Sequence, residues 1–336
     1  MRKFLLFILT GFLISLVSCQ KTSKPTTSSL TSDFQLDTLL QLPTIMKIHG
    51  DYLAVVDLFS EGKIAKLYDL KKGDCLQEFG DKGEGPGEFL HVSSMEFQQE
   101  NGILWLSLFD PVKKCLTSFK VSDLEKGIAE GQVKKVKEES IRLSELYKVD
   151  GGYLATGVFT QGKYAIFDDS LNLQRYEGSF LENAQGIQDS VKHSIANNGN
   201  TVFSADGKNF TEVVYMASVL SFCKMEEKHP VKVSDYVIKP LNYKVEDDHI
   251  LNNEVEGYLS ASYGSKHIYA LYCGVPESDG IATYGNTVHV LSMDGKLEKV
   301  LELEHSAFQI CINDEENKLY VLSHEPEACI WIYSLE

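Results

Sequence analysis

The chain has 336 residues, of which 43% are hydrophobic, and this length allows one large domain or two smaller ones with a substantial core. It carries 48 Asp and Glu against 32 Lys and Arg, a formal charge of −16 at pH 7. Such a surface repels the phosphates of nucleic acids and anionic lipid headgroups, so a nucleic-acid partner is disfavoured.

The first residues have the order of a signal peptide. Arg2 and Lys3 form a short positive region, and a mostly apolar stretch follows over residues 4–17. A helix of fourteen residues covers about 21 Å at ~1.5 Å per residue, less than the ~30 Å hydrocarbon core of a membrane. A retained transmembrane helix is therefore the weaker interpretation, and we predict a signal peptide over residues 1–18.

A lipid anchor is expected next. The residues Leu16-Val17-Ser18-Cys19 resemble the lipobox of bacterial lipoproteins, which implies cleavage before Cys19, diacylglycerol on its thiol and attachment to a membrane. An ordinary secretory signal with a Cys near its cleavage site is the alternative. By resemblance to lipoprotein sorting, Gln20 after the Cys favours the outer membrane of the cell envelope. Residues 21–24 lack the acidic cluster linked to surface export, which favours the periplasmic face over the cell surface.

Residues 19–33 are predicted to be the lipidated Cys and a flexible tether. Most of them are Ser, Thr and Lys with one Pro, a composition with too little apolar surface to offset the entropy of ordering. The folded domain is therefore predicted over residues 34–336.

Short β-branched and aromatic runs recur through this domain, separated by turn residues. Examples are Tyr52-Leu-Ala-Val-Val56 and Ile103-Leu-Trp-Leu-Ser-Leu108, which follow the turns His49-Gly50-Asp51 and Glu100-Asn101-Gly102. A second apolar cluster follows each of them, such as Cys115-Leu-Thr-Ser-Phe119. The unit predicted from this pattern is a four-stranded antiparallel meander.

The units repeat along the chain. They start near Ile45, Val92, Leu146, His193, Gly257 and Ala307, 47 to 64 residues apart. Periods of ~40–50 residues with four strands each are typical of propeller blades, so we predict an all-β fold, a six-bladed β-propeller. The last unit has length for only three strands, and a strand within residues 34–42 is expected to complete it and close the ring. Two consecutive β-sandwiches are the competing architecture.

One motif is distinct from the rest of the chain, Gly80-Asp-Lys-Gly-Glu-Gly-Pro-Gly-Glu-Phe89. A phosphate-binding loop is excluded because the Gly-Lys-Ser/Thr order is absent and a strand follows. The structural interpretation is a connection between blades in which Phe89 fills apolar space. Its backbone would be shaped by Gly80, Gly83, Gly85, Pro86 and Gly87. The functional interpretation is a mouth loop that presents Lys82, Glu84 and Glu88 to a ligand.

This motif resembles the six-bladed, TolB-like or NHL-like propeller lipoproteins, in which a Phe-Gly strand end leads into Gly-x-Gly-Pro-Gly-Glu-Phe. Phe79-Gly80 and Gly83-Glu-Gly-Pro-Gly-Glu-Phe89 carry the match. The resemblance implies the fold and a cell-envelope location. It transfers no catalytic residues, because members of the family mostly lack an assigned activity.

Two further features bear on cofactors. Residues 226–255 are long and polar for a blade connection and could offer acidic oxygens to Ca²⁺, but their spacing does not fit a calcium loop; a solvated loop is predicted. Apart from Cys19, the chain has the cysteines Cys75, Cys115, Cys223, Cys273, Cys311 and Cys329. These cysteines show no zinc-like spacing, so no metal or other cofactor is predicted. Buried thiols are expected, and Cys311 with Cys329 is the pair to test for a disulfide.

Two functions remain open. The first is a non-catalytic, monomeric binding or scaffold protein for a peptide, a glycan or an envelope protein, since the usual catalytic motifs are absent. The second is an enzyme, a glycan lyase or hydrolase or a metal-dependent lactonase-like hydrolase, with a site in the central channel. Its candidate residues are His91, His193, His267, His305, Asp57 and Asp110. Rings near predicted turns could contact a sugar or a peptide, namely Tyr215, Tyr258, Tyr263, Tyr272 and Tyr284.

Overall fold

The computed structural model describes residues 25–36, 40–251, 257–274, 284–313 and 315–335. The predicted fold is confirmed, because six sheets of four or five strands form the blades of a six-bladed β-propeller in the described chain. No helix among the described residues is long and apolar enough to cross a membrane. The predicted signal peptide and Cys19 lie outside the described residues.

The first three blades have four consecutive strands each, numbered from the innermost outward. Blade 1 contains β3 (Pro43–His49), β4 (Tyr52–Asp57), β5 (Ala65–Asp69) and β6 (Asp74–Phe79). Blade 2 contains β7 (Ser94–Glu100), β8 (Ile103–Asp110), β9 (Cys115–Lys120) and β10 (Gln132–Lys135), with the short helix α1 (Val121–Leu124) before its last strand. Blade 3 contains β11 (Leu143–Val149), β12 (Gly152–Gly157), β13 (Tyr164–Phe167) and β14 (Leu173–Glu177).

The other three blades include the two ends of the described chain. Blade 4 contains β15 (Gly199–Phe203), β16 (Asn209–Val214), β17 (Ser218–Glu226) and β18 (His229–Lys239). Blade 5 contains β21 (Tyr258–Tyr263), β22 (His267–Tyr272), β23 (Gly285–Ser292), β24 (Leu297–Ala307) and an added outer strand, β1 (Thr26–Leu30). Blade 6 contains β25 (Gln309–Ile312), β26 (Lys318–Ser323), β27 (Cys329–Ser334) and β2 (Phe34–Gln35).

The hydrophobic core lies between neighbouring blades. Ala54, Val56 and Leu67 of blade 1 pack in one cluster with Leu106 and Leu108 of blade 2, and similar clusters join each of the other neighbouring pairs. The second strands are buried on both faces because each blade packs between two others, which explains their continuous apolar runs.

The ring closes through both ends of the chain, as predicted. Phe34 and Gln35 of β2 pair antiparallel with Ile332 and Trp331 of β27, and the Leu36 N–H donates to the carbonyl of Ile330 at 2.9 Å. Blade 6 therefore takes three strands from the C-terminal part and one from the N-terminal part, and β2 covers the outer edge of β27.

Strand β1 lies within the segment predicted as a flexible tether. It pairs in parallel with β24, with Thr26 beside Lys299 and Leu30 beside Leu303. The composition of the segment does not predict β1, because the strand forms on a long edge with free backbone groups that β24 already offers. A polar strand can use that edge when one apolar residue, here Leu30, packs on the cluster between blades 5 and 6.

Two other segments differ from the sequence predictions. Residues 226–255 are not one solvated loop, since β18 forms the outer edge of blade 4 and a hairpin follows, made of β19 (Lys244–Glu246) and β20 (His249–Leu251). The fourth unit starts at Gly199 rather than His193, because helix α2 (Ser190–Ala196) precedes it. Asp189 caps α2 by accepting a hydrogen bond from the Lys192 N–H at 2.8 Å.

No disulfide joins the six described cysteines. Cys311 lies on the inner strand of blade 6 and Cys329 on its third strand. The two strands that carry this candidate disulfide pair are not neighbours, because β26 lies between them. Cys223, Cys311 and Cys329 are buried, whereas Cys75 is exposed.

Candidate functional site

The six inner strands surround a central channel that has two chambers. We call the end where these strands begin the upper end, and the end where they finish the lower end. The upper chamber has a volume of about 550 Å³ and the lower chamber about 810 Å³. Both volumes fall in the range of small-molecule sites.

The two chambers meet at a level that we call the waist. Residues from all six blades line both chambers at this level: Lys47, Glu96, Tyr147, Val202, Ala261 and Gln309. Lys47 Nζ lies 2.7 Å from Glu96 Oε1, and Gln309 Oε1 accepts a hydrogen bond from the Met46 N–H at 2.6 Å. Lys47 and Glu96 are therefore paired with each other, and Gln309 is paired with the backbone.

Glu145 is a buried carboxyl on β11 in the wall of the upper chamber. It accepts hydrogen bonds from Thr156 Oγ1 at 3.2 Å and the Thr201 N–H at 3.3 Å. Burial raises the pKa of Glu145 to about 8, although these bonds, one from the Tyr147 side chain and the charge of Lys47 oppose the shift. Glu145 is therefore mostly protonated and uncharged at neutral pH.

The remaining wall of the upper chamber combines apolar side chains with neutral polar groups. The apolar residues are Ile45, Val92, Met95, Met216, Leu259 and Phe308. The polar residues are His91 and the uncharged Thr44, Ser93, Ser94, Ser144, Asn198, Asn200, Thr201, Tyr215 and Ser260. Because Lys47 pairs with Glu96 and Glu145 is protonated, this wall offers a ligand apolar contact and neutral hydrogen-bonding groups.

Tyr215 is the tyrosine from the sequence list that lines the upper chamber. Its side chain is 42% exposed although the residue lies at the channel wall, so the ring faces the open space of the chamber. Tyr263 lines the lower chamber, whereas Tyr258 is fully buried and its hydroxyl lies 2.7 Å from His289 Nδ1. Tyr272 stacks on the same histidine.

The glycine-rich loop, residues 80–89, lies at the upper end between blades 1 and 2 and away from the chambers. Glu88 Oε2 accepts a hydrogen bond from the Gly85 N–H at 2.7 Å, and Lys82 Nζ donates to the carbonyl of Ser60. Neither these side chains nor Glu84 is among the residues that line the two chambers. Their contact with a ligand stays a prediction.

The backbone of this loop needs its glycines. Gly80 has a φ of 81° and Gly87 a φ of 77°, values that favour glycine. At Gly83 a Cβ would lie 2.1 Å from Glu88 Oε2. Phe89 is 3% exposed and packs in the cluster between blades 1 and 2.

Four of the candidate catalytic residues are histidines that make separate contacts. His193 Nδ1 lies 3.0 Å from the Tyr243 hydroxyl, and burial lowers the pKa of His193. His267 Nδ1 lies 2.6 Å from Glu316 Oε2, and the ring of His305 stacks on Trp331. His91 lines the upper chamber. The four rings therefore do not converge on one site.

Asp57 and Asp110, the other two candidates, occupy equivalent positions at the ends of second strands. Asp57 accepts hydrogen bonds from the Gln41 and Leu42 N–H groups at 2.7 and 3.0 Å, and Asp110 from those of Leu90 and His91 at 2.8 and 3.2 Å. Each carboxylate thus holds the connection that leads into its own blade. Across the described ranges, no group of three His, Cys, Asp or Glu residues could hold a metal ion; Asn252-Asn253-Glu254 of the calcium hypothesis lie outside them.

Sequence reasoning missed Glu145 and the waist pair. Glu145 stands in a strand pattern, Leu143-Ser-Glu-Leu-Tyr147, and nothing local distinguishes it from a solvent-facing residue. Lys47 and Glu96 belong to different repeats. Their shared position near the start of an inner strand is the one signal that could have paired them.

Comparisons with known proteins agree with this architecture. Residues 20–315 match the family model described as TolB-like 6-blade propeller-like. A search of curated protein sequences gave no match.

Several solved structures are similar in fold. A candidate exported protein from Bacteroides fragilis has a TM-score of 0.55 at 10% identity, covering 92% of this chain and 99% of its own. A DUF4221 family member from Bacteroides vulgatus has a TM-score of 0.55 at 11% identity, covering 90% and 94%. Regucalcin from Agrobacterium tumefaciens, a calcium-binding protein, has a TM-score of 0.50 at 12% identity, covering 93% and 96%. Such low identities establish a shared fold only.

Proposed function

The chain belongs to the TolB-like six-bladed propeller family, and from this premise we propose that it is a non-catalytic binding lipoprotein of the cell envelope with its ligand site in the upper chamber. The observation that carries the proposal is the composition of the chamber wall, apolar side chains with neutral polar groups around about 550 Å³. Sites of this size and lining suit small ligands.

We expect the part of the ligand that lies inside the chamber to be uncharged. A formal charge on it would find Lys47 and Glu96 already paired at 2.7 Å and Glu145 protonated at neutral pH. Desolvating such a charge without a partner is costly. A neutral glycan fragment or the backbone of a short apolar peptide fits these conditions, with the Tyr215 ring available for stacking.

The anchor belongs to the same proposal. Diacylation of Cys19 would hold the protein on the periplasmic side of the outer membrane, because several acyl chains give stable attachment. Labelling cells with a fatty acid tests this point. The label should appear on the wild-type protein and be absent from Cys19→Ser, which should also leave the membrane fraction.

Ligand binding is tested by thermal shift on the lipid-free form, residues 20–336. Neutral oligosaccharides and uncharged peptides are screened beside charged analogues of the same length. A ligand at 100 times its dissociation constant should stabilise the fold by about 2.7 kcal/mol. Tyr215→Ala should abolish the shift, and Phe34→Ala, which removes a half-exposed ring outside the channel, should preserve it.

Three outcomes would contradict the proposal. A shift that survives Tyr215→Ala would locate the ligand elsewhere, and a preference for charged analogues would contradict the neutral chamber. Chemical turnover of a bound glycan or peptide would make the protein an enzyme.

A further inference from the structure

The N-terminal segment reaches the propeller from one particular end. Strand β24 begins at Leu297, just after the turn that connects it to β23, and this turn lies at the lower end because β23 runs in the same direction as the inner strand β21. Since β1 runs parallel to β24 and Thr26 pairs with Lys299, the chain joins blade 5 close to that lower turn. Thr26, the first residue of β1, therefore lies at the lower end of blade 5.

Several contacts hold this segment in place. Leu30 packs on the cluster between blades 5 and 6. The Ser32 N–H donates to Glu304 Oε2 at 3.1 Å, and Ser32 Oγ lies 3.3 Å from His305 Nε2. The His305 ring stacks on Trp331 with 3.9 Å between centroids. Thr26 is thus the start of a docked segment.

The free length before this segment is short. Six residues separate Cys19 from Thr26, and seven fully extended steps span at most about 25 Å. An inner strand of seven residues, such as Pro43–His49, already spans about 23 Å, and the connections above it add to the height of the propeller. The fifteen-residue tether predicted from sequence would span about 50 Å and would allow either end to face the membrane.

We propose that the lower end of the propeller faces the lipid surface and that the upper chamber opens away from it. The inference rests on the proposed lipid anchor at Cys19. The lower end needs no lipid-binding patch of its own, because the acyl chains supply the affinity and β1 supplies the direction.

This orientation has a consequence for the upper rim. Phe59, Leu90 and Val112 lie in upper connections and are 62%, 48% and 63% exposed. With the upper end directed away from the bilayer, these apolar side chains face the aqueous space from which a ligand reaches the chamber. Insertion of the same side chains into lipid is the competing arrangement.

Fluorescence quenching of the full lipidated protein in phosphatidylcholine vesicles tests the orientation, with nitroxide-labelled headgroups as the quencher. A fluorophore is attached either at Met293→Cys in the lower turn of blade 5 or at Val112→Cys at the upper rim, both in a Cys75→Ser background. Both native side chains are exposed. We expect strong quenching at position 293 and little at 112. Equal quenching, or stronger quenching at 112, would overturn the proposal.

A second comparison isolates the role of β1. Ser28→Pro/Ser29→Pro removes backbone donors that parallel pairing needs, and Ser28→Ala/Ser29→Ala is the matched control. The difference in quenching between the two positions should shrink in the proline variant and persist in the alanine variant; a difference that persists in both would overturn the role of β1. Cys19→Ser should not bind the vesicles. If Cys19→Ser still binds the vesicles, the proposed anchor is wrong. If Cys19→Ser does not bind but the wild-type protein is quenched more strongly at position 112 than at 293, only the orientation is wrong.

Discussion

Lys47 Nζ and Glu96 Oε1 lie 2.7 Å apart and join the inner strands of blades 1 and 2 across the channel waist. Their side chains are 18% and 20% exposed. Burial alone would lower the pKa of Lys47, but the charge and hydrogen bond of Glu96 outweigh it and raise the pKa above its ordinary value. The pair therefore adds no net charge to the waist.

Removing one partner of this pair should cost more than removing both. Lys47→Met leaves the Glu96 carboxylate without its counter-charge and should lower the free energy of unfolding by about 2 kcal/mol. Lys47→Met/Glu96→Met should recover most of that loss, because two apolar side chains can fill the waist. Urea denaturation at pH 7 measures both values. Additive losses would show that the two charges are not coupled.

Glu145 should make the fold less stable as pH rises. Its pKa is about 8 in the folded protein and near its ordinary value of 4.5 when unfolded. Between these values the folded state binds more protons than the unfolded state, so stability falls as pH rises from about 4.5 to 8. Glu145→Gln should remove this contribution, on the order of a few kcal/mol.

Chemical denaturation at pH 5.5 and pH 8 checks this prediction. The stability gained by Glu145→Gln over the wild type should be larger at pH 8. The control is Glu139→Gln, which changes an exposed carboxylate and should behave like the wild type at both pH values. A gain that does not vary with pH would contradict the raised pKa of Glu145.

Asp110 should be important for stability although it takes no part in the proposed binding. Besides the Leu90 and His91 N–H groups it accepts hydrogen bonds from those of Val112 and Lys113 at 2.9 and 3.0 Å. Asp110→Ala leaves four donors without this acceptor and should cost about 2 to 4 kcal/mol in urea denaturation. Asp81→Ala removes a largely exposed partner of Lys63 and should cost less than about 1 kcal/mol.

Ring closure should depend on Leu36. Its side chain is 5% exposed and packs in the cluster between blades 6 and 1. Leu36→Ala should lower the free energy of unfolding by about 2 to 4 kcal/mol, the usual cost of truncating a buried leucine. Phe34→Ala changes a side chain that is 50% exposed in the same segment and should cost much less. Similar losses in both variants would argue against a packed closure.

The cysteines should react according to their exposure. In the lipid-free form without Cys19, a thiol reagent should label exposed Cys75 first, and all six thiols should titrate after unfolding without reductant. Burial raises the pKa of Cys223 and of Cys311 to about 12, so few thiolates form there near pH 8. Mass spectrometry of the labelled peptides identifies the order. Fewer than six thiols after unfolding would indicate a disulfide.

The sequence by itself determined the fold. Tight turns alternate with short apolar strands at a period near 50 residues, and this pattern is typical of similar sheets packed around an axis. The extra strand before the first unit indicated the closure of the ring, because β2 completes a blade that the C-terminal part leaves one strand short. These features are local or periodic, so they can be recognised in a single sequence.

The tertiary structure alone decided what lies in the channel and how the N-terminal segment docks. Lys47, Glu96 and Glu145 come from three repeats, and their pairing and burial exist only after the ring has closed. Strand β1 forms on the edge of a blade more than 260 residues away in sequence, although its own Ser and Thr residues predict a tether. Contacts between segments so distant in sequence leave no local sequence pattern, because each of these residues is also common on a strand exposed to solvent.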